Sequence, residues 1–306
     1  MKHFLALRDY HKDELTHILN LAFTLKRELK QNIAHPKLAG KTLAMIFEKS
    51  STRTRVSFET GIFQLGGVGL FLSSNDLQMG RGEPIRDTAA VLSRYVDGIM
   101  IRTFAHSTVE ELARHSSVPV INGLSDLLHP CQAMADVMTM LEHSDKPLEE
   151  IKLAYVGDGN NVANSLIYGA ASLGYSISIA SPKGYEVADH VAQQASTIAR
   201  STGAPIHYTH DPAEAIRGAD FVYTDVWASM GQEDQQQERL RAFEGFTVTE
   251  KLMQLGTPNC KFLHCLPAYR DKEVSAEVCD GPRSIIYDQA ENRLHAQKAI
   301  MVHLMA

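Results

Sequence analysis

Short apolar runs alternate with amphipathic helical stretches along this chain, and the whole alternation occurs twice. The apolar run at 42–47 is bounded by charge and leads through a Ser/Thr/Arg cluster into a helical stretch beginning near Thr54. The cycle repeats through predicted strands at 68–72, 98–101 and 118–121, with helices opened by Pro84 and by Val109 between them. Strands that alternate with helices in this way demand a parallel sheet covered on both faces. Around 142–150 the sequence turns polar, with His143, Ser144, Asp145, Lys146 and Pro147 marking a boundary. A second cycle then begins, with predicted strands at 152–156, 176–180, 205–208, 221–224, 261–264 and 284–287. Before the first cycle, Leu15, Ile18, Leu19, Ala22 and Leu25 recur at helical spacing over 13–31, with Asp13 as the expected cap. The closing helical stretch, 291–305, is too long for a frayed tail and is expected to pack back on the first domain.

Two open parallel-sheet α/β domains of similar size, joined by helices, are therefore expected. Their bounds are 1–148 plus a returning 289–306, and 149–288. The length of 306 residues agrees, since single domains run at roughly 100 to 200 residues. A net charge of −6 removes the global basic footprint of a nucleic-acid binder. With 44% hydrophobic and 22% charged residues the chain is neither disordered nor membrane-like, and no apolar stretch approaches the roughly 18 residues of a span. The opening residues meet charge too early for the apolar region of a signal peptide, so the protein is expected in the cytoplasm. The four cysteines form no C-x-x-C pair. Cys260 and Cys265 bracket His264 but lack a second ligand pair, so reduced thiols and no metal are expected.

Chemistry collects at the strand ends, where open α/β sheets bind ligands. In Ser50-Ser51-Thr52-Arg53-Thr54-Arg55, backbone N–H groups, hydroxyls and a guanidinium converge where a strand passes into a helix, an anion site. Taken alone, a hydroxyl-rich cap with exposed arginines reads equally well. No G-x-x-x-x-G-K-[ST] pattern is present, which disfavours P-loop chemistry. Arg102 follows the third strand, and His129-Pro130-Cys131-Gln132 follows the fourth. Three donor sets at three strand ends favour a phosphate or carbonyl site over unrelated surface roles.

In the second half, Gly157-Asp158-Gly159-Asn160-Asn161 begins like a dinucleotide fingerprint. Val162 stands at its third glycine and Ser181 where the ribose-binding acid belongs, so nicotinamide binding is disfavoured. The alternative is a tight turn aiming Asn161 into the interdomain cleft. Asp225, in a segment running through Trp227, Ser229, Met230 and Gly231, offers a carboxylate suited to a substrate ammonium, or an Asx turn. Cys265, in His264-Cys265-Leu266-Pro267, is an amine ligand, a nucleophile or a packed residue. Arg293 opens the last helix.

Taken together, these residues resemble the aspartate/ornithine carbamoyltransferase family, and its ornithine branch in particular, over essentially the whole chain. The resemblance rests on Ser51 to Arg55, on Leu77-Gln78 with Gly80-Arg81-Gly82-Glu83-Pro84, on His129 to Gln132, on Asp225 to Gly231 and on His264 to Pro267. It implies carbamoyl transfer from carbamoyl phosphate to the δ-amine of L-ornithine, giving L-citrulline in arginine biosynthesis, with no cofactor and with the active site in the interdomain cleft. Ser51, Thr52, Arg53 and Thr54 would bind the phosphate, and Arg102, His129 and Gln132 the carbamoyl part. Gln78 would reach a neighbouring subunit's site, which implies a homotrimer as the minimum assembly, with a higher assembly of trimers left open. Asn161, Asp225, Ser229 and Met230 would hold the amino-acid end of ornithine, while Cys265, Leu266 and Arg293 line the reaction centre. Arg102, His129, Cys265 and Arg293 are the implied catalytic set, and Arg55 an internal ion pair. Transfer to putrescine or to an acylated ornithine, and a non-catalytic sensor of a phosphate ligand, are the readings that compete.

Overall fold

The computed structural model describes residues 2–74, 77–228 and 236–306, which divide into two compact units, Met1–Met138 with Glu291–Ala306 and Thr139–Ala290. The first contains β1 (Thr42–Phe47), β2 (Val68–Ser73), β3 (Gly98–Arg102) and β4 (Val120–Leu124) in one parallel sheet of order β2-β1-β3-β4. Its helices are α1 (Lys12–Lys30), α2 (Thr52–Gln64), α3 (Ile85–Leu92), α4 (His106–His115) and α5 (Pro130–Glu142), the last crossing the division. The second contains β5 (Lys152–Val156), β6 (Ser176–Ala180), β7 (Ile206–Thr209), β8 (Phe221–Tyr223) and β9 (Lys261–Leu263), again all parallel, in the order β7-β6-β5-β8-β9. Its helices are α6 (Asn161–Leu173), α7 (Asp189–Thr202), α8 (Pro212–Ile216), α9 (Gln236–Ala242), α10 (Glu250–Met253) and α11 (Ala276–Cys279), and α12 (Ile286–Met305) closes the chain.

The central strands carry unbroken apolar runs because both of their faces are covered. In the first unit Ala44 and Ile46 of β1 pair with Ile99 and Ile101 of β3, and all four pack with Ala89 of α3 and Val109 and Leu112 of α4. The returning end of α12 lies against α2 so closely that a Cβ on Gly61 would stand 3.1 Å from the Met301 methyl. In each sheet the crossovers leave in opposite directions from one inner pair of strands, β1/β3 and β5/β8, and such a switch point opens a crevice at the strands' carboxyl ends.

Several local expectations change. The N-cap of α1 is His11, with the Glu14 carboxylate accepting from its N–H, so Asp13 lies inside the first turn. No strand forms at 284–287: Ser284 makes a single bridge to Phe262, and α12 has begun by Ile286, five residues before the expected start. Ser284-Ile285-Ile286 is a short apolar run, which periodicity alone assigns to strand or helix equally. The first compact unit runs to Met138, inside α5, and the polar segment from His143 is the loop that follows this helix.

Acid should act unequally on the two units. Burial holds His3, His35, His106, His129, His295 and His303, all of the first unit, below the ordinary imidazole range, His295 to about 4. A histidine depressed on folding lends stability that is full above pH 6.5 and is lost as the pH falls through its folded value. His295 alone is worth on the order of 3 kcal/mol across that window. In the second unit burial raises Asp158, and this contribution has the opposite sign, being lost as the pH rises. Hydrogen exchange at pH 7.5 and 5.0, corrected for intrinsic rates, should show protection falling in the first unit before the second.

Candidate active site

In the first unit the donors are set by the turns after β1, β3 and β4. Ser51 caps α2, its Oγ accepting from the Thr54 N–H at 3.2 Å, while its hydroxyl donates to Thr54 Oγ1 at 3.1 Å. This cap fixes the start of the helix, whose free N–H groups and positive dipole end suit an anion. Thr52 and Arg53 follow in the first turn with exposed side chains, and Thr54 is buried. Arg55 forms an exposed ion pair with Glu59 at 3.2 Å and lies 3.8 Å over the Phe71 ring.

Arg102 pairs with Phe47 at the end of β3 and is 6% exposed. The β3/β4 register slips just there, Ile101 facing Asn122 and Arg102 facing Leu124, a bulge that re-aims the side chain at the strand's mouth. Gly123, the residue passed over, has room for no side chain, since a Cβ would meet Met100 Sδ at 2.6 Å. After β4, the Ser125 N–H donates to the Leu128 carbonyl and the Ser125 Oγ accepts from the Leu128 N–H. That closed turn delivers His129 to the start of α5, where its carbonyl accepts from Gln132 and Ala133.

Arg293 ties these pieces together. It donates to Gln132 Oε1 at 2.8 Å and to Thr54 Oγ1 at 3.1 Å, and with its amide turned to satisfy its neighbours Gln297 accepts from the same guanidinium at 3.0 Å. Gln132 in turn donates to Asp136 at 2.8 Å. Burial first, then the fields of Arg293, Arg102 and Arg53, hold His129 well below its ordinary pKa. The ring is therefore neutral at pH 7, a hydrogen-bonding imidazole set among guanidinium charges. Burial also pushes the neighbouring Cys131 thiol up to about 12, so it is inert. Gln78 stands apart in a short 3₁₀ turn, exposed, its carbonyl accepting from the Glu83 N–H.

The second unit gathers a different set at the ends of β5, β8 and β9. Asn160 organises this set. As N-cap of α6 its Oδ1 accepts from the Val162 and Ala163 N–H groups, while its Nδ2 donates to Asp225 Oδ2 at 2.8 Å. Asn161 is the first helical residue, half-buried. The turn is tight because Gly159 lies against the 186–187 backbone, where a Cβ would stand 2.4 Å from Val187 N. Asp225 is 6% exposed and its other oxygen accepts from the Cys265 thiol at 3.1 Å. Nearby, Arg239 donates to Asp158 at 2.7 Å and to the Trp227 carbonyl at 2.6 Å, bracing both turns. Ser229 and Met230 lie outside the described residues.

Cys265 and Leu266 follow β9. The Leu266 N–H donates to His264 Nδ1 at 2.9 Å, and Leu266 has φ +62°, a left-handed conformation uncommon for a branched residue and typical of functional turns. Asp225, His264 and Cys265 each offer a donor atom within 4.8 Å of the others. A metal on that trio would have to take a histidine nitrogen already engaged, since Nδ1 accepts from Leu266 and Nε2 faces Glu273 at 3.3 Å. Cys260, the other cysteine near His264 in sequence, is buried, and burial pushes its thiol up to about 12. Asn160, Glu273, Asp136 and Gln297 were not singled out from the sequence. Only Asn160 carried a local signal, a cap residue two positions before the first apolar helical residue.

Two family models match the chain. Residues 2–142 match the carbamoyl-P binding domain of aspartate/ornithine carbamoyltransferase, and residues 149–304 its Asp/Orn binding domain. The ornithine carbamoyltransferase of Oceanobacillus iheyensis is 56% identical over 303 residues, 99% of this chain and 94% of that protein. That of Bacillus subtilis is 56% identical over 300 residues, 98% and 92% of the two chains. Among solved structures, ornithine carbamoyltransferase from Pyrococcus furiosus superposes with a TM-score of 0.96 at 50% identity, covering 99% of this chain and 97% of the other. The anabolic enzyme from Campylobacter jejuni superposes at 0.94 with 46% identity, covering 99% of each.

Proposed function

Since the chain belongs to the aspartate/ornithine carbamoyltransferase family, we propose that it transfers the carbamoyl group of carbamoyl phosphate to the δ-amine of L-ornithine, releasing phosphate and L-citrulline. The observation that carries the choice of acceptor is the near-full-length identity to relatives named for ornithine.

The first unit supplies the carbamoyl phosphate end. Ser51, Thr52, Arg53 and Thr54 take the phosphate, and Arg102, His129 and Gln132 the carbamoyl oxygen and amide. As the neutral amine attacks, a carbon–nitrogen bond forms and charge grows on the carbonyl oxygen. The carbon–oxygen bond to phosphate then breaks, and the proton lost by the amine balances the phosphate released. Arg102, Arg293 and the neutral His129 are fixed donors for charge that appears only in the transition state, so their stabilisation goes into rate. In the second unit Asp225, steadied by Asn160, takes the α-ammonium, with Asn161, Ser229 and Met230 completing the amino-acid end. Cys265 and Leu266 stand beside the reacting amine. Citrulline formation from ornithine and carbamoyl phosphate, with putrescine and Nα-acetylornithine as competing acceptors, tests the reading. Product from ornithine alone among the three supports it, and phosphate-ligand binding without product overturns it.

The same reading includes a homotrimer, in which Gln78 serves a neighbouring site, and cytoplasmic residence in arginine metabolism. Four cysteines standing as free thiols suit that compartment, and no helix among the described residues is long and apolar enough to cross a membrane. Supporting the trimer, Val56 and Phe63 lie seven residues apart on one face of α2, Phe63 being 77% exposed. Val68 and Leu70 are exposed on edge strand β2, and exposed apolar edges of this kind mark interfaces. Light scattering should give about three times the 33.9 kDa chain mass, and Phe63→Glu with Val68→Glu should give monomers. A monomeric parent protein would refute this.

A further inference from the structure

The buried Glu273 has no part in substrate contact as described above, yet it stands at the far end of a chain of contacts leading to Cys265. Its carboxylate is 1% exposed, accepts from the Tyr269 N–H at 2.5 Å and faces His264 Nε2 at 3.3 Å. That approach falls short of a well-aligned hydrogen bond, and what Glu273 presents to Nε2 is an acceptor oxygen. On the opposite side of the ring, Nδ1 accepts from the Leu266 N–H at 2.9 Å and so bears no proton. A neutral imidazole in this setting carries its hydrogen on Nε2, the nitrogen facing the carboxylate. The main chain of His264 is separately fixed, its N–H donating to Gln289 Oε1 at 2.8 Å.

We propose that Glu273 is a positioning residue: it holds His264 in the Nε2–H tautomer, which leaves Nδ1 free to clamp Leu266 in its left-handed conformation and so aims the Cys265 thiol at Asp225. The clamp spans residues 264 to 266, so Cys265 lies inside a small closed ring, and its Sγ reaches Asp225 Oδ1 at 3.1 Å. With the other tautomer two N–H groups would face each other at Nδ1, Leu266 would leave its conformation and the thiol would lose its aim. The importance of Cys265 alone rests on the carbamoyl-transfer reading, and the tautomer is measurable without any reaction.

Histidine labelled with nitrogen-15 in the full protein, assigned by loss of the His264→Gln signal, should show Nδ1 unprotonated and Nε2 protonated at pH 7.5. An Nδ1–H tautomer overturns the proposal. Glu273→Gln keeps an acceptor towards Nε2 and towards Tyr269, so its kcat should stay within about 3-fold of the parent; Glu273→Leu removes the acceptor, and kcat should fall about 30-fold with little change in the KM for carbamoyl phosphate. Cys265 is the one cysteine not fully buried, so its alkylation by iodoacetamide reports the thiol directly. The rate should change several-fold in Glu273→Leu and not in Glu273→Gln. Equal losses in both variants, or parental rates and alkylation in Glu273→Leu, overturn the role. If Glu273→Leu does not fold, the parent's tautomer and the Glu273→Gln kinetics still decide. Absence of citrulline formation by the parent would refute the proposed reaction while leaving the tautomer result standing.

Discussion

Arg102→Met is expected to lower kcat/KM about 1,000-fold, close to 4 kcal/mol of transition-state stabilisation, while the folded state keeps its stability to within about 1 kcal/mol. The methionine fills the volume of the arginine stem at the end of β3, where the side chain is buried, so no large cavity opens. What disappears is one guanidinium from a set that already crowds its own charges, for Arg53, Arg102 and Arg293 all depress His129 by their fields. Like charges so placed repel one another, and an anion or a developing oxyanion offsets that repulsion. Removing one relieves that repulsion and offsets the interactions lost with it, the usual trade between stability and function. Steady-state citrulline assays and thermal unfolding check both halves. Turnover within about 3-fold of the parent would remove Arg102 from the proposed chemistry.

Local spacing and strand-end topology make part of this site readable from the chain. The Ser51 cap and the first turn of α2 are local, a hydroxyl and its acceptor N–H three residues apart, and such spacing is visible in sequence. Arg102 and His129 were visible as polar residues ending apolar runs, because parallel topology places strand ends together whatever the side chains do. Asn160 was passed over for Asn161. Both follow the same glycine turn, and only folding determines that the first caps α6 and reaches Asp225, 65 residues away in sequence. Glu273 and Gln297 gave no signal at all, since one lies in an irregular loop and the other on a helix where a polar residue ordinarily faces water. Their partners are His264 and Arg293, and burial of the pairs depends on tertiary packing. The failed strand at 284–287 has a related cause, because two adjacent isoleucines fit the last strand of a sheet as well as the first turn of a long helix.

Asp225→Asn should separate the two substrates. The carboxylate is buried and accepts from Asn160 on one oxygen and from Cys265 on the other, so its remaining lone pairs are all that a bound ammonium can use. Replacing one oxygen by an amide removes the charge and sets an N–H₂ group against one of those donors. A charge-assisted contact of this kind contributes about 1.5–3 kcal/mol, so the KM for ornithine should rise about 100-fold. The KM for carbamoyl phosphate should stay within about 3-fold, because its proposed ligands lie in the other unit. Acceptor choice is the sharper test. Nα-acetylornithine keeps the δ-amine but has no α-ammonium, so the parent should prefer ornithine over it by an amount set largely by the Asp225 charge. In Asp225→Asn that preference should collapse by about the same 100-fold, through loss of ornithine turnover rather than gain of the acylated substrate. An unchanged ratio of kcat/KM values would mean that the ammonium is held elsewhere and that Asp225 serves only to fix Asn160 and Cys265.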